Sequence, residues 1–410
     1  MTSTAIPRRS RPITVIGLGA DGLAGLPEHT RALVLAAGTI LGGPRHLALL
    51  PEVTGQVRVP WPSPLRAGLP GVLAEHAEVD LVALASGDPL VSGIAGTLID
   101  LLGADSVRVE PAVSSVALAR ARLGWSHERV EVISLVGRDP HLVLRQLAPG
   151  HRVLVLSSDA TTPSAIAGLL TEAGYGASQL TVLGDLGSQT ESRTTAAADA
   201  WSTDPARVTS ALNIVGIELD GPVLTGWAAG LPDEVFEHDG QLTKRDLRAS
   251  AMARLTPLPG QLLWDVGAGA GSVGIEWLRA HPTCRAIAVE SDSERATRIA
   301  GNAERLGVPT LVVVKGRAPD ALAELPAPDA VFIGGGVSRP GVLDACLAAL
   351  KPGGRLVAHA VTLESEAALI AAYARHGGEL TRISVEQAAP VGTFTGWTPA
   401  RSVTQWALVR

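Results

Sequence analysis

Two carboxylates and three spaced glycines carry the strongest chemical signal. Leu262-Leu263-Trp264-Asp265-Val266 is an apolar run that passes directly into Gly267-Ala268-Gly269-Ala270-Gly271-Ser272. Glycines there let a backbone turn tightly and approach a ligand at a helix N-terminus. A dinucleotide loop is spaced G-x-G-x-x-G, and here the third glycine comes one residue early. The next apolar run, Ala286–Val289, ends at Glu290, where a carboxylate can accept hydrogen bonds from both hydroxyls of a ribose. Lys315-Gly316-Arg317-Ala318 closes a third run, and Asp329 and Gly334-Gly335-Gly336 bracket a fourth. Asp329 reads as a strand start. Thr243, in Leu242-Thr243-Lys244-Arg245, reads as a helix cap.

The first half has its own glycine loop. Gly17-Leu18-Gly19-Ala20-Asp21-Gly22 matches the dinucleotide letters, but the following helix starts late, near Glu28. The next strand ends Ile40-Leu41-Gly42-Gly43 with no acid for a ribose, which argues against a nicotinamide site. Ala85-Ser86-Gly87-Asp88-Pro89 and Pro111-Ala112-Val113-Ser114-Ser115 each follow a short apolar run. Loops at strand ends converge on one edge of a parallel sheet, where ligands bind. Cys284 and Cys346 show no metal spacing, the ten histidines form no ligand grouping, and HExxH, CxxC, GxSxG and Walker A patterns are absent. No metal is expected.

These loops need a layered α/β scaffold. Short β-rich runs alternate with alanine-rich helical stretches, predicting mostly parallel sheets flanked by helices. Strands are expected at 13–16, 39–41, 81–85, 107–109, 132–135, 153–156, 180–183 and 213–219. A second series is expected at 262–266, 286–289, 311–314, 330–333, 356–360, 383–387 and 403–409, alternating with five helices. Residues 1–11 read as a flexible tail, 12–220 as one domain of two α/β lobes, 221–240 as a linker and 241–410 as a second domain.

The motifs resemble two methyltransferase families. Strand-D-x-G-x-G-x-G is similar to the first motif of class I S-adenosylmethionine methyltransferases, a Rossmann-like fold. Leu231-Pro232-Asp233-Glu234-Val235-Phe236, Leu242-Thr243-Lys244, Gly316-Arg317-Ala318-Pro319 and Asp329–Gly336 resemble the decarboxylating precorrin C15-methyltransferases. That resemblance covers residues 230–410 and implies cofactor contacts at Thr243, Asp265, Gly267, Ala268, Gly269, Ala270, Gly271, Glu290 and Ala318. The first-half loops resemble the two-lobed tetrapyrrole methylase fold, and Gly42-Gly43-Pro44-Arg45-His46-Leu47 with Ala211–Val215 resembles its precorrin C5-methyltransferase branch. It implies cofactor contacts at Gly87, Asp88, Val91, Ser114 and Ser115, with Gly17 and Gly19 on the cleft floor. Two positions depart from that pattern: Ala20 replaces a common proline, and Val136 stands where histidine is expected.

Joined in this order, the halves resemble the precorrin-6Y C5,15-methyltransferase (decarboxylating) family. The resemblance implies methylation of precorrin-6B at C5 and C15 with loss of the C12 acetate carboxyl, giving precorrin-8 in cobalamin biosynthesis. It implies one S-adenosylmethionine per domain and a homo-oligomer. Such a substrate is a polycarboxylate, for which Arg45, Arg138, Arg245, Arg317 and Arg339 are candidate partners, since guanidinium forks pair with carboxylates. Alternatives remain open: a methyltransferase of another tetrapyrrole or of RNA, or a non-catalytic cofactor-binding protein.

Composition bears on these readings. The 410 residues carry a net charge of −6, which argues against a nucleic-acid surface. Of 34 basic residues only Lys244, Lys315 and Lys351 are lysine, a skew read first as coding bias and only second as anion recognition. Two cysteines, no signal-like apolar stretch after Met1–Pro12 and no run long enough to span a bilayer lead us to expect a soluble cytoplasmic protein without a membrane partner.

Overall fold

The computed structural model describes residues 11–204 and 210–410. Apart from Arg11, the expected tail lies outside the described residues. The chain divides into two compact units, one running to Arg138 and resuming over Gly150–Asp220, the other comprising Asp139–Pro149 and Gly221–Arg410.

The first unit holds two sheets. One contains β1 (Ile13–Leu18), β2 (Thr39–Gly42), β3 (Val57–Pro60), β4 (Leu81–Ser86) and β5 (Val107–Glu110) in the order β3-β2-β4-β1-β5, all parallel. Its helices are α1 (Glu28–Ala36), α2 (Pro44–Ala48), α3 (Leu65–Glu75) and α4 (Ile94–Leu102). Strand β1 is apolar throughout because both its faces are covered: Ile13 and Val15 pack with Leu69 and Leu98, Ile16 and Leu18 with Val34 and Leu84. The other sheet contains β6 (Glu131–Ser134), β7 (Arg152–Leu156), β8 (Gln179–Gly184), β9 (Ser192–Ala197) and β10 (Asn213–Glu218), flanked by α5 (Ser115–Leu123), α6 (Thr162–Glu172) and α7 (Ala198–Thr203). Only its β6–β7 pair is parallel; the other three pairings are antiparallel. The expectation of mostly parallel sheets therefore fails in this lobe.

The second unit is built on a seven-stranded sheet of order β13-β12-β11-β14-β15-β19-β16. Its parallel strands are β11 (Leu262–Val266), β12 (Arg285–Glu290), β13 (Val312–Lys315), β14 (Ala330–Ile333) and β15 (Arg355–Ala360). Strand β19 (Val403–Val409) runs antiparallel between β15 and β16 (Glu379–Ile383). Strands β17 (Glu386–Val391) and β18 (Phe394–Pro399) form a separate hairpin. The helices are α8 (Arg245–Leu255), α9 (Ser272–Ala280), α10 (Ser293–Arg305), α11 (Val342–Ala349) and α12 (Leu363–His376). Fully buried Trp264 and Trp277 mark the two cores on opposite sheet faces. The strand order reverses at β11, between β12 and β14, and a ligand crevice belongs at that edge.

Several local expectations change. Strands β3 and β9 were not anticipated: Val57-Arg58-Val59-Pro60 and Ser192–Ala197 are sheet edges, where one-sided cover permits polar residues. The strand expected at 383–387 is instead the end of β16 and the start of β17. Helix α8 is capped by Lys244, not Thr243, and no side chain makes the cap bond. In the expected linker, Leu231 and Phe236 join the core of the second unit. Among the described residues, no helix is long and apolar enough to cross a membrane.

Candidate functional site

A cavity of about 810 Å³ opens at the carboxyl edge of the second sheet, within the ~300–1,000 Å³ usual for small-molecule sites. Gly267, Ala268, Gly269, Glu290, Ala318 and Thr243 line it. Gly267 and Gly269 have φ of 69° and 59°, and a Cβ on Gly269 would lie 2.6 Å from the Gln241 carbonyl oxygen. Only glycine fits both the left-handed turn and that approach.

Three amides at the start of the loop are spent internally. Gly267 and Ala268 donate to the Val289 carbonyl at 2.9 and 3.2 Å, and Gly269 donates to Glu290 Oε2 at 2.9 Å. A phosphate, which needs free amides, is poorly served. Glu290, largely buried at the end of β12, lines the cavity beside the loop. Its Oε1 accepts from the Asp292 amide at 3.0 Å and from the Ser291 hydroxyl at 3.5 Å, and Oε2 retains capacity for a hydroxyl donor. A ligand bearing a ribose and a positive charge fits the acceptors of Glu290. S-adenosylmethionine is such a ligand.

Asp265, Ala270 and Gly271 do not line the cavity. Asp265 is 1% exposed beneath the loop, and its Oδ2 accepts from the Gly274 amide of α9 at 2.9 Å. Burial pushes its carboxyl up to about 7, with the Glu290 charge adding to the rise. It holds loop to helix. Gly271 turns into α9 at φ 75°, with Ile299 where a Cβ would stand. Asp329 starts β14: it accepts from the Leu262 amide and pairs with Lys351 Nζ, each at 2.8 Å.

A buried cation fixes the opposite wall. Arg248 of α8 is fully buried and donates to Glu276 Oε1 at 2.5 Å, to Asp233 Oδ1 at 3.2 Å and to the carbonyls of Leu231 and Thr243. Glu276 also accepts from the Gly230 and Leu231 amides at 2.8 Å. This clamp draws Thr243 to the cavity rim through its carbonyl. Arg245, which opens α8, and Arg317 and Arg339 line the rim, and Lys244, Arg401 and His359 line it with them. Arg401 precedes the antiparallel β19, so only the sheet order could reveal it; His359, near the end of parallel β15, was findable from that position. Burial holds His359 neutral down to about 4.

In the first unit three strand-end loops are knitted together. The Gly87 amide donates to the Leu18 carbonyl at 3.0 Å, and the Ala112 amide to the Gly87 carbonyl at 3.1 Å. A Cβ on Gly17 would lie 2.7 Å from the Ala112 nitrogen and closer still to the Gly87 carbonyl oxygen, so Gly17 is required by packing. A Cβ on Gly19 would meet the Asp21 carboxylate. Ser114 caps α5 by accepting from the Ala117 amide at 3.1 Å, with Ser115 the first helical residue. Asp88 Oδ1 accepts from the Leu90 amide at 2.9 Å, and Val91 packs on the core between β7 and α5. Arg45 lies at this edge. Arg138 is exposed in the turn after β6, beside exposed Val136.

Residues 12–200 match the family described as Tetrapyrrole (Corrin/Porphyrin) Methylases, and residues 234–410 match the Precorrin methyltransferase domain. A Mycobacterium tuberculosis protein named precorrin-6Y C(5,15)-methyltransferase (decarboxylating) is 47% identical over 97% of this chain and 100% of its own length. A Sinorhizobium protein of the same name is 46% identical over 96% of this chain and 95% of its own. A Pyrobaculum calidifontis protein named probable cobalt-precorrin-6B C(15)-methyltransferase (decarboxylating) is 39% identical over 42% of this chain and 92% of its own. The crystal structure of the C-terminal domain of precorrin-6Y C5,15-methyltransferase from Rhodobacter capsulatus is 46% identical over 45% of this chain and all of that one, with a TM-score of 0.43. The chain therefore belongs to the precorrin-6Y C5,15-methyltransferase (decarboxylating) family, which is S-adenosylmethionine-dependent.

Proposed function

We propose that this chain methylates precorrin-6B at C5 and C15 and removes the C12 acetate carboxyl, giving precorrin-8 in cobalamin biosynthesis. The first unit acts at C5, the second at C15 and on the acetate, each with its own S-adenosylmethionine. The observation that carries this reading is full-length similarity to bifunctional relatives combined with two separate glycine-loop edges, one per unit. The Pyrobaculum relative, named for C15 and decarboxylation alone, spans under half of this chain, as a single-domain activity would.

When bound, S-adenosylmethionine supplies an electrophilic methyl on a sulfonium. The protein's tasks are then alignment and exclusion of water. In the second unit Glu290 holds the ribose hydroxyls, the Gly267–Gly269 turn gives close approach, and the rim cations Lys244, Arg245, Arg317, Arg339 and Arg401 hold substrate carboxylates. The methylated carbon gains CH₃ and gives up a proton, while the acetate loses CO₂ and takes one up. The two steps balance in protons, and no metal is required: the macrocycle accepts the electron pair.

The test incubates purified protein with precorrin-6B and methyl-labelled cofactor. Mass spectrometry should show two methyl groups gained and one CO₂ lost, and calorimetry two cofactors per chain. A single methyl from the intact chain contradicts the reading, as does a single binding site.

A further inference from the structure

The loop Gly42–Leu47 contains a side-chain cluster that the cofactor loops do not use. Gly42 ends β2, Pro44 opens α2, and this short helix sets Arg45 and His46 beside Ser86, the last residue of the neighbouring parallel strand β4. Ser86 is exposed at the strand's carboxyl end, immediately before Gly87 and Asp88.

The guanidinium fixes the roles in this cluster, and the buried Nδ1 of His46, left with the ring proton, has no hydrogen-bond partner among the described residues. Arg45 Nη2 lies 2.8 Å from His46 Nε2 and 3.0 Å from Ser86 Oγ, and His46 Nε2 lies 3.1 Å from the same hydroxyl. A guanidinium only donates. His46 Nε2 is therefore an acceptor, the ring is neutral, and the Ser86 hydroxyl accepts from Arg45 while donating to His46. His46 is 8% exposed, and its burial together with the Arg45 charge keeps it neutral down to about 4. A protonated imidazole there would repel the guanidinium it supports.

Arg45 is thus fixed through Nη2, and no other hydrogen bond of its guanidinium is found among the described residues. No carboxylate lies within ion-pair distance there either, although Arg45 feels the charge of Asp185 on the turn after β8. A half-buried cation held rigid without a paired anion is suited to a carboxylate ligand, and a pre-organised fork loses less entropy on binding one.

We infer that Arg45 binds a carboxylate of the tetrapyrrole in the first unit, and that His46 and Ser86 are positioning residues that hold its guanidinium there. This rests on the proposed C5 activity. It also accounts for the adjacency of arginine and histidine in the Gly42–Leu47 motif.

The experiment measures C5 methylation of precorrin-6B by the full chain, with the tetrapyrrole and cofactor varied separately. His46→Leu should raise the KM for the tetrapyrrole about five- to tenfold, as expected for loss of one charge-assisted hydrogen bond, with kcat and cofactor affinity retained. His46→Gln, whose side-chain oxygen can still accept from Arg45, should stay within about twofold of wild type. Arg45→Ala should raise KM at least as much as His46→Leu. Ser86→Ala alters an exposed hydroxyl and should give a smaller rise of the same kind, so it keeps the test decisive if His46→Leu does not fold. Unchanged tetrapyrrole KM in Arg45→Ala and Ser86→Ala overturns the inference. So does a loss of cofactor affinity equal in the Leu and Gln variants, which would mark a purely structural histidine. If the wild-type chain adds no methyl at C5, the proposed function fails, and this inference falls with it.

Discussion

Replacing Asp265 by asparagine should stabilise the second unit at alkaline pH. Asp265 is buried under the glycine loop, and its carboxyl is raised from 3.8 to about 7. The native state therefore keeps a proton that the unfolded chain releases, and stability falls as the pH rises through that window. At about 1.36 kcal/mol per pKa unit the cost above pH 7 is about 4 kcal/mol. The amide oxygen of an Asp265→Asn side chain can still accept from Gly274 without carrying the charge. Urea unfolding, followed by pulsed hydrogen exchange on peptides covering Leu262–Ala280, reads this unit alone. The variant should match wild type near pH 4 and exceed it by up to about 4 kcal/mol at pH 8. Taking the difference cancels other titrations, including that of His359. The His359 contribution has the opposite sign, being lost as the pH falls from 6.5 toward 4. If the variant were less stable than wild type at pH 8 by more than about 1 kcal/mol, with an unchanged pH slope, Asp265 would be an ionised, compensated carboxylate, and the argument from burial would be refuted.

Other expectations follow from single contacts. Glu290→Ala removes a charged acceptor and should weaken cofactor binding at the second site about 10- to 100-fold, leaving the first site unchanged in calorimetry. Gly17→Ala places a methyl group against the Gly87 carbonyl and the Ala112 nitrogen. It should cost the first unit about 1–3 kcal/mol and abolish C5 methylation at a lower temperature than C15 methylation. Arg248→Met leaves Glu276 buried without its cation and should cost about 3–5 kcal/mol in urea unfolding of the second unit. Most of that should return in the Arg248→Met, Glu276→Gln double variant.

The second half was legible because its parallel strands are buried on both faces and appear as bare apolar runs, each ending at a loop with chemistry. Leu262–Val266 and Ala330–Ile333 are strands with those bounds. What escaped depends on distance along the chain. Thr243 looked like a cap because threonine often is one; instead Arg248, five residues on, takes its carbonyl and leaves Lys244 at the cap. The strand-end acid Asp265 is conspicuous in the sequence as a ligand group, whereas its carboxyl turns inward to an amide nine residues later. Four strands of the first unit's antiparallel sheet are legible as apolar runs, but polar β9 is not, and the antiparallel pairing of β10 between β7 and β8 leaves no mark on periodicity. The Arg45–His46–Ser86 cluster joins residues about forty positions apart through a β2–β4 neighbourhood that only the sheet order supplies.

The division of labour between the units is tested most directly by the product of a chain carrying Gly269→Ala and Glu290→Ala together. Both changes lie on the second unit's cavity, where the added methyl meets the Gln241 carbonyl and the ribose acceptor is gone. Incubated with precorrin-6B and labelled cofactor, this variant should yield a product with one methyl, at C5, and the acetate carboxyl intact. A product with both methyls would contradict the account, as would one that had lost CO₂.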